Sequence, residues 1–346
     1  MNPQTVVDKE PGQHDAAWLR GLFLGELVDL GEKAGAPYAG IFSPGYDAKE
    51  ITRFMTDHYA SLEGAQVQAD TINMYDFYYQ GIQEAMTSAG FCRAKDKIAA
   101  LEICAGFGSA TLPMLDIFPN ALLCATEFSA PMLTFLKKKL EKAGHEKRCV
   151  LMQLNAEELS FVPESFDLIV GGAALHHLFH PDKTLEQCAR ILKPGGVAIF
   201  FEPFENGMGI IKMLFKAALK DPRSYLFGIR TRLYMLNCVR YWQKMISPDK
   251  THVFAGADDK WLFSKQYFSD LAQRNGMECT IYPVDKSSRP FEALVRVHTA
   301  GNGFKNLPKW FWRIVDDFEK SFSDDLKKDL LTEGVVIFRK PLNPVS

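Results

Sequence analysis

The sequence predicts an α/β fold built on a mostly parallel sheet, and two observations carry that prediction. Apolar runs of strand length recur at 98 to 104, 121 to 126, 149 to 154, 166 to 171 and 197 to 202, and helix-like stretches at 108 to 118, 130 to 143 and 182 to 192 alternate with them. That rhythm makes a sheet covered on both faces, with ligands held outside the carboxyl ends of its strands. The first run also ends in an acid and breaks into small residues, Leu101-Glu102-Ile103-Cys104-Ala105-Gly106-Phe107-Gly108. This reads as a buried strand feeding a tight turn into a helix.

Composition narrows the classes of function. At 346 residues the chain holds one large domain, or a core domain with additions, and buries a sizeable core. Its formal net charge is -2, from 40 basic and 42 acidic side chains. No whole-chain basic field therefore points to nucleic acid as a partner. The first ten residues include acids and no apolar h-region, and no run is long enough to span a bilayer, so a cytoplasmic protein with no integral membrane association is expected. Seven cysteines are scattered singly, at 92, 104, 124, 149, 188, 238 and 279. They read as small core residues rather than as a disulfide framework or a zinc site.

Taken in order, residues 1 to 15 are polar and read as loose. From Ala16 the run to Gly35 places Trp18, Leu19, Leu22, Phe23, Leu27 and Leu30 on a helical stripe that Gly35 ends. A loop with Pro37, Gly40, Pro44 and Gly45 follows, then helical stretches at 49 to 62 and 71 to 89. Residues 1–95 thus form a helical N-terminal extension, expected to act as a lid or a dimer element. Its segment Tyr75-Asp76-Phe77-Tyr78-Tyr79 is either a packed aromatic face or a tyrosine over a ligand. Residues 96–346 form the main domain, with helical insertions at 204–262 and 285–332. The first insertion has ten Lys or Arg against five Asp or Glu and an amphipathic stretch at 210 to 216. Such a helix suits a membrane surface or an acidic substrate, with a solvated face favoured. A helix at 264 to 275 and strands at 277 to 284 and 334 to 339 complete the pattern.

Four strand ends carry the chemistry. In the turn of Glu102, Cys104, Ala105, Gly106 and Gly108, glycine lets backbone approach a ligand, and the helix beyond offers unpaired N–H groups. A dinucleotide fingerprint would need a third glycine where Thr111 stands, which weakens a nicotinamide oxidoreductase reading. Glu127 ends the second run, where a carboxylate can accept both hydroxyls of a ribose, or cap a helix in the bland case. Phe128 and Met132 can sandwich an adenine, and Ser129 and Pro131 start the next helix. Asn155, Ala156 and Glu157 follow the third run and can meet an adenine edge. The fourth run passes through Gly171 and Gly172 into Leu175-His176-His177-Leu178.

In this order and spacing the pieces resemble the class I S-adenosylmethionine-dependent methyltransferases, in their small-molecule branch. LEICAGFG is similar to that family's motif I, EFSAPML to its ribose-binding motif, NAEEL to its adenine motif, FDLIVGGAALHHL to its fourth strand and ILKPGGVAIFFEP to the turn into its fifth. The resemblance covers 98 to 203 and, more loosely, the last two strands. It implies a Rossmann-like, doubly wound seven-stranded sheet with its last strand antiparallel. It also implies S-adenosyl-L-methionine as cofactor, bound by the strand-end residues just named; Tyr75 of the extension, outside the resemblance, is a further candidate to lie over it. The family usually has Gly at the place of Cys104 and Asp at that of Asn155.

The expected reaction is in-line methyl transfer to a small-molecule acceptor, a hydroxyl in the favoured reading, with His176 or His177 as general base. Packing of the loop against the cofactor is the other reading of the histidine pair, and Tyr79 completes the catalytic candidates. S-, N- or C-methylation and a non-catalytic binding protein are the alternatives. No metal is expected. The aromatics Tyr225, Phe227, Tyr234, Tyr241, Trp242, Trp310 and Trp312 are candidates for lining a substrate pocket, Arg230, Arg232 and Arg240 suit an anionic acceptor, and a homodimer fits the extension.

Overall fold

The computed structural model describes residues 16–47, 74–91, 96–226, 228–247, 259–284, 287–301 and 307–342. The first 15 residues, read from sequence as loose, the helix expected over 49 to 62, Cys92 and Phe227 lie outside the described residues. The chain forms two compact units, one of 1–200, 269–280 and 336–346, the other of 201–268 and 281–335.

The sheet is nine-stranded, in the order β1-β2-β5-β4-β3-β6-β7-β9-β8. Its strands are β1 (Val28–Asp29), β2 (Ile41–Ser43), β3 (Ala99–Ile103), β4 (Leu122–Glu127), β5 (Cys149–Gln153), β6 (Phe166–Gly172), β7 (Leu192–Pro203), β8 (Glu278–Pro283) and β9 (Glu333–Arg339). β3 pairs in parallel with β4 and with β6, and β4 with β5. Gly195 N–H donates to the Lys340 carbonyl and Lys340 N–H to that of Gly196, so the start of β7 meets the end of β9 and the last strand is antiparallel. From β3 the chain builds outward first through β4 and β5, then through β6 and β7. Strand order therefore reverses between β3 and β6, where open α/β sheets bind ligands.

Two expectations need correction. The sheet has nine strands rather than seven, because the N-terminal extension is not all helix. The helix expected over 16 to 35 divides into α1 (Ala16–Leu22) and α2 (Leu30–Ala34). Between them Phe23 bridges to Phe161, and Asp29 caps α2 by accepting the Gly31 N–H. β2 then lies parallel to β5 and β1 antiparallel to β2, which covers an edge that β5 would otherwise expose. The second correction is at 193 to 196, read as a turn before β7. The strand begins at Leu192, since the residue after β9 pairs with both glycines.

In the first unit α3 (Tyr75–Ser88) packs on α4 (Thr111–Ile117), and α5 (Ala130–Ala143) on β4 and β5; α6 (Pro181–Ile191) leads into β7. The signals read from sequence at the start of α5 hold, with the Ser129 hydroxyl accepting the Met132 N–H and Pro131 in the first turn; Gly144, left-handed, ends the helix. Every residue of β3 and β5 is buried. At the far end of the sheet the buried Asp167 accepts the Ala99 N–H at 2.9 Å and Lys193 Nζ at 2.7 Å, tying the starts of β3, β6 and β7.

The second unit holds α7 (Glu205–Lys220), α8 (Ile229–Met245), α10 (Pro290–Gly301), α11 (Lys309–Lys320) and α12 (Asp324–Asp329), while α9 (Lys265–Arg274) crosses the boundary along the chain. α7 packs against α8, α10 and α11 around Leu214, Phe215, Met235, Trp242, Phe291 and Phe311. Tyr234, Trp310 and Trp312 pack against this core, so these aromatics and Trp242 serve the interior of their own unit. Among the described residues no helix is long and apolar enough to cross a membrane.

Candidate active site

The turn after β3 is built on positive-φ backbone at Cys104 (φ 53°), Gly106 (φ 55°) and Gly108 (φ 93°). Cys104 adopts a conformation that favours glycine, which agrees with the usual residue of the resembling family. Ala105 N–H donates to the Thr126 carbonyl, and the Thr126 hydroxyl to that of Glu102, which stitches the ends of β3 and β4 together. The Glu102 side chain is buried under the turn and accepts the Thr111 hydroxyl. Thr111, which breaks the dinucleotide fingerprint, is thus a fastening of α4 to β3. Gly108 touches the next helix: a Cβ there would clash with Leu136 Cδ1 of α5. Gly108→Ala is expected to lower stability by about 2–4 kcal/mol, from left-handed strain plus overpacking. Urea denaturation measures it, and a change below about 0.5 kcal/mol would contradict this packing.

Glu127 closes β4 with both oxygens placed. Oε2 accepts the Gly106 N–H at 3.0 Å and Oε1 the Ser129 N–H at 2.9 Å. Two carboxylate oxygens offer about four lone-pair sites, so the carboxyl is oriented by these donors and still able to accept. Burial holds it above the usual carboxylate range, against the pull of the Ser129, Gly106 and Phe128 N–H donors. Met132 is buried with Phe107, and Phe135 packs on that pair.

Beyond β5, Asn155 forms an Asx turn, its Oδ1 accepting the Glu157 N–H at 3.0 Å. Glu157 Oε1 in turn accepts the N–H groups of Phe179 and His180, fixing the entry to α6, and the Ala156 carbonyl accepts the Thr184 hydroxyl. Tyr46, which the sequence reading did not single out, joins this end. Its hydroxyl accepts the Asn155 N–H at 2.9 Å and its ring meets Phe128 edge-on at 5.0 Å. Gln153 donates to the Phe128 carbonyl and accepts the Ser43 hydroxyl, so β2 steadies Phe128 through a buried amide. No periodicity signals Tyr46 or Ser43, because pairing of β2 with β5 alone brings them here.

At the end of β6, Gly171 and Gly172 precede Ala173, itself at φ 55°, and a 3-10 turn at Leu175–His177. A Cβ on Gly172 would lie 2.9 Å from the Tyr78 ring, so the small residue admits α3. His176 is buried and His177 half-buried, with ring centroids 4.1 Å apart. Tyr75 and Tyr79 stack on one another, and the Tyr75 hydroxyl donates to Asp116 at 2.6 Å. Burial first, then Asp116, pushes that phenol up to about 12. Tyr75 therefore anchors α3 to α4, and of the aromatic cluster it is Tyr78 that reaches the loop after β6.

Residues 101–200, which carry all four strand ends, match the family model described as "Methyltransferase domain". Residues 101–200 therefore form a methyltransferase domain of the class I S-adenosylmethionine-dependent kind. The chain is 27% identical over 143 residues to the demethylmenaquinone methyltransferase of Lactobacillus johnsonii, across 40% of this chain and 59% of that protein. It is 26% identical over 144 residues to the mitochondrial 2-methoxy-6-polyprenyl-1,4-benzoquinol methylase of Caenorhabditis elegans, across 41% and 47%. The chain thus spans about half the length of the curated relatives it matches. A solved Haemonchus contortus phosphoethanolamine N-methyltransferase 2 aligns at TM-score 0.46 and 14% identity, over 86% of this chain and 61% of that one. The strand ends fit the methyltransferase cofactor on their own geometry. Glu127 offers two oriented acceptor oxygens of the kind a ribose diol needs, and the positive-φ turn at 104 to 108 leaves main chain in reach of a ligand.

Proposed function

We propose that this methyltransferase acts on a small acceptor through a ring hydroxyl, with the His176–His177 turn as its proton acceptor. The observation that carries the reading is the position of that turn, at the end of β6 beside the point where strand order reverses. When bound, S-adenosylmethionine supplies an electrophilic methyl on a sulfonium. Glu127 would hold the ribose hydroxyls, Asn155 and Phe128 the adenine, and the turn at 104 to 108 the methionine end. The protein's part in the chemistry is then orientation and removal of one proton. An imidazole nitrogen would take the hydroxyl proton and hold it, leaving the acceptor oxygen able to receive the methyl group that the bound cofactor would supply.

Carbon methylation is a second reading, favoured by the relatives named for a demethylmenaquinone and a benzoquinol. Deprotonating a benzoquinol raises electron density on oxygen and on the adjacent ring carbons, so both reactions share this base. Incubation with methyl-labelled S-adenosylmethionine and panels of phenols, quinols and cell metabolites tests the proposal, with mass spectrometry and NMR locating the methyl group. Label on a ring oxygen is expected, label on a ring carbon selects the second reading, and cofactor binding with no labelled small molecule defeats both. With a working acceptor, His176→Asn and His177→Asn identify the base by a rate loss of about 10²–10⁴ and loss of the acidic limb of the pH profile. Unchanged rates in both variants remove the histidines from the mechanism.

A further inference from the structure

The second unit carries a surface that methyl transfer does not use, at the tip of the α7–α8 hairpin. The two helices are joined by a 3-10 turn at Pro222–Leu226. Around it Tyr225, Leu226, Ile229 and Leu233 are 78%, 80%, 70% and 51% exposed, although the inward faces of both helices are fully packed. Four large apolar side chains within nine positions of one hairpin tip form a patch rather than scattered single residues. Residues 216 to 233 also contain Lys216, Lys220, Arg223, Arg230 and Arg232 against Asp221 alone, in a chain of net charge -2. Asp221 is neutralised locally, with both carboxylate oxygens taken by the Arg223 guanidinium. The tip is ordered by its own contacts: Arg232 lies 4.5 Å over the Tyr225 ring and donates to the Ser224 hydroxyl. Apolar and cationic groups are thus held outward together.

We propose that this tip docks on the surface of an anionic phospholipid bilayer, with Leu226 and Ile229 entering the headgroup boundary and the surrounding cations facing lipid phosphates. Charge complementarity selects the partner. A neutral apolar protein groove leaves the four cations other than Arg223 unanswered, and a nucleic acid leaves the four apolar side chains in water, whereas a charged interface over hydrocarbon answers both. The association is peripheral, since no described helix is long and apolar enough to cross a membrane. The proposal does not depend on what the protein methylates.

Co-sedimentation of the full chain with phosphatidylcholine vesicles, and with vesicles in which about a third of the lipid is phosphatidylglycerol, tests it. Binding to the anionic vesicles at least about tenfold tighter than to the neutral ones, and weakening with salt, is expected. Lys216→Glu with Lys220→Glu, and separately Leu226→Ser with Ile229→Ser, should each weaken anionic-vesicle binding by about tenfold or more. All four positions are exposed, so circular dichroism and melting temperature should stay as in the parent. Three results would each overturn the proposal: no binding to either vesicle, equal binding to both, or parental binding by both double variants. So would binding to mixed-sequence duplex DNA as tight as to anionic vesicles and indifferent to Leu226→Ser with Ile229→Ser, which would make the basic face a nucleic-acid surface.

Discussion

Glu127→Ala is expected to weaken S-adenosylmethionine binding by about a hundredfold or more while the chain still folds. A hydrogen bond to a charged acceptor contributes about 1.5–3 kcal/mol, and two ribose hydroxyls would share this carboxyl. The loss goes beyond the ligand contacts, because Glu127 also takes the Gly106 and Ser129 N–H groups and so sets the spacing between the turn after β3 and the start of α5. Glu127→Gln separates the two roles. Its amide oxygen can accept one of those N–H groups, but its NH2 faces the other, so it should bind more weakly than the parent and more tightly than Glu127→Ala. Isothermal calorimetry with S-adenosylmethionine and S-adenosylhomocysteine gives the order of affinities. Parental affinity in Glu127→Ala would place the ribose elsewhere.

A stability that falls as pH rises is the second large effect, and Glu102 is its source. Burial lifts this carboxyl from 4.5 to about 8, against the Thr111 hydroxyl and with a further upward push from Glu127. The folded protein keeps the proton that the unfolded chain releases. Its contribution is therefore fully present below pH 4.5, declines through the interval up to about 8, and is lost above it. The loss across that window is of the order of 5 kcal/mol. Glu102→Gln has no proton to lose and retains an oxygen for Thr111. Melting temperatures of parent and variant should converge near the acidic end and separate in favour of the variant at the alkaline end. Parallel curves would mean that Glu102 ionises normally within the fold.

Glu127 and Glu102 differ in how far the sequence announces them. Glu127 ends an apolar run at the point where a second strand of a doubly wound sheet must stop, and its position marks it as a candidate ligand contact, with helix capping as the alternative. Glu102 ends a similar run, yet its side chain turns under the loop to Thr111, and only packing shows that it is shielded from water. The same division holds along the chain. The run at 98 to 104 and the cap at Ser129 are local events, governed by side-chain periodicity and backbone preference, and a linear reading finds them. Tyr75 and Tyr78 share one helix and nearly one composition, but Asp116 holds the first and Gly172 receives the second. No spacing rule tells those two partners apart.

From the sequence alone came the alternating α/β order, the four strand ends and the family resemblance, because each is encoded within a few residues of itself. The tertiary structure alone determined the two added strands, the contacts of Ser43 and Tyr46 with Gln153 and Asn155, the anchoring of Tyr75, and the exposure of the apolar hairpin tip. These depend on pairs from 41 to 110 residues apart, or on which face of a helix its own unit covers. A side chain's neighbours across a fold are set by the packing of whole elements, so they are fixed only when every element is in place.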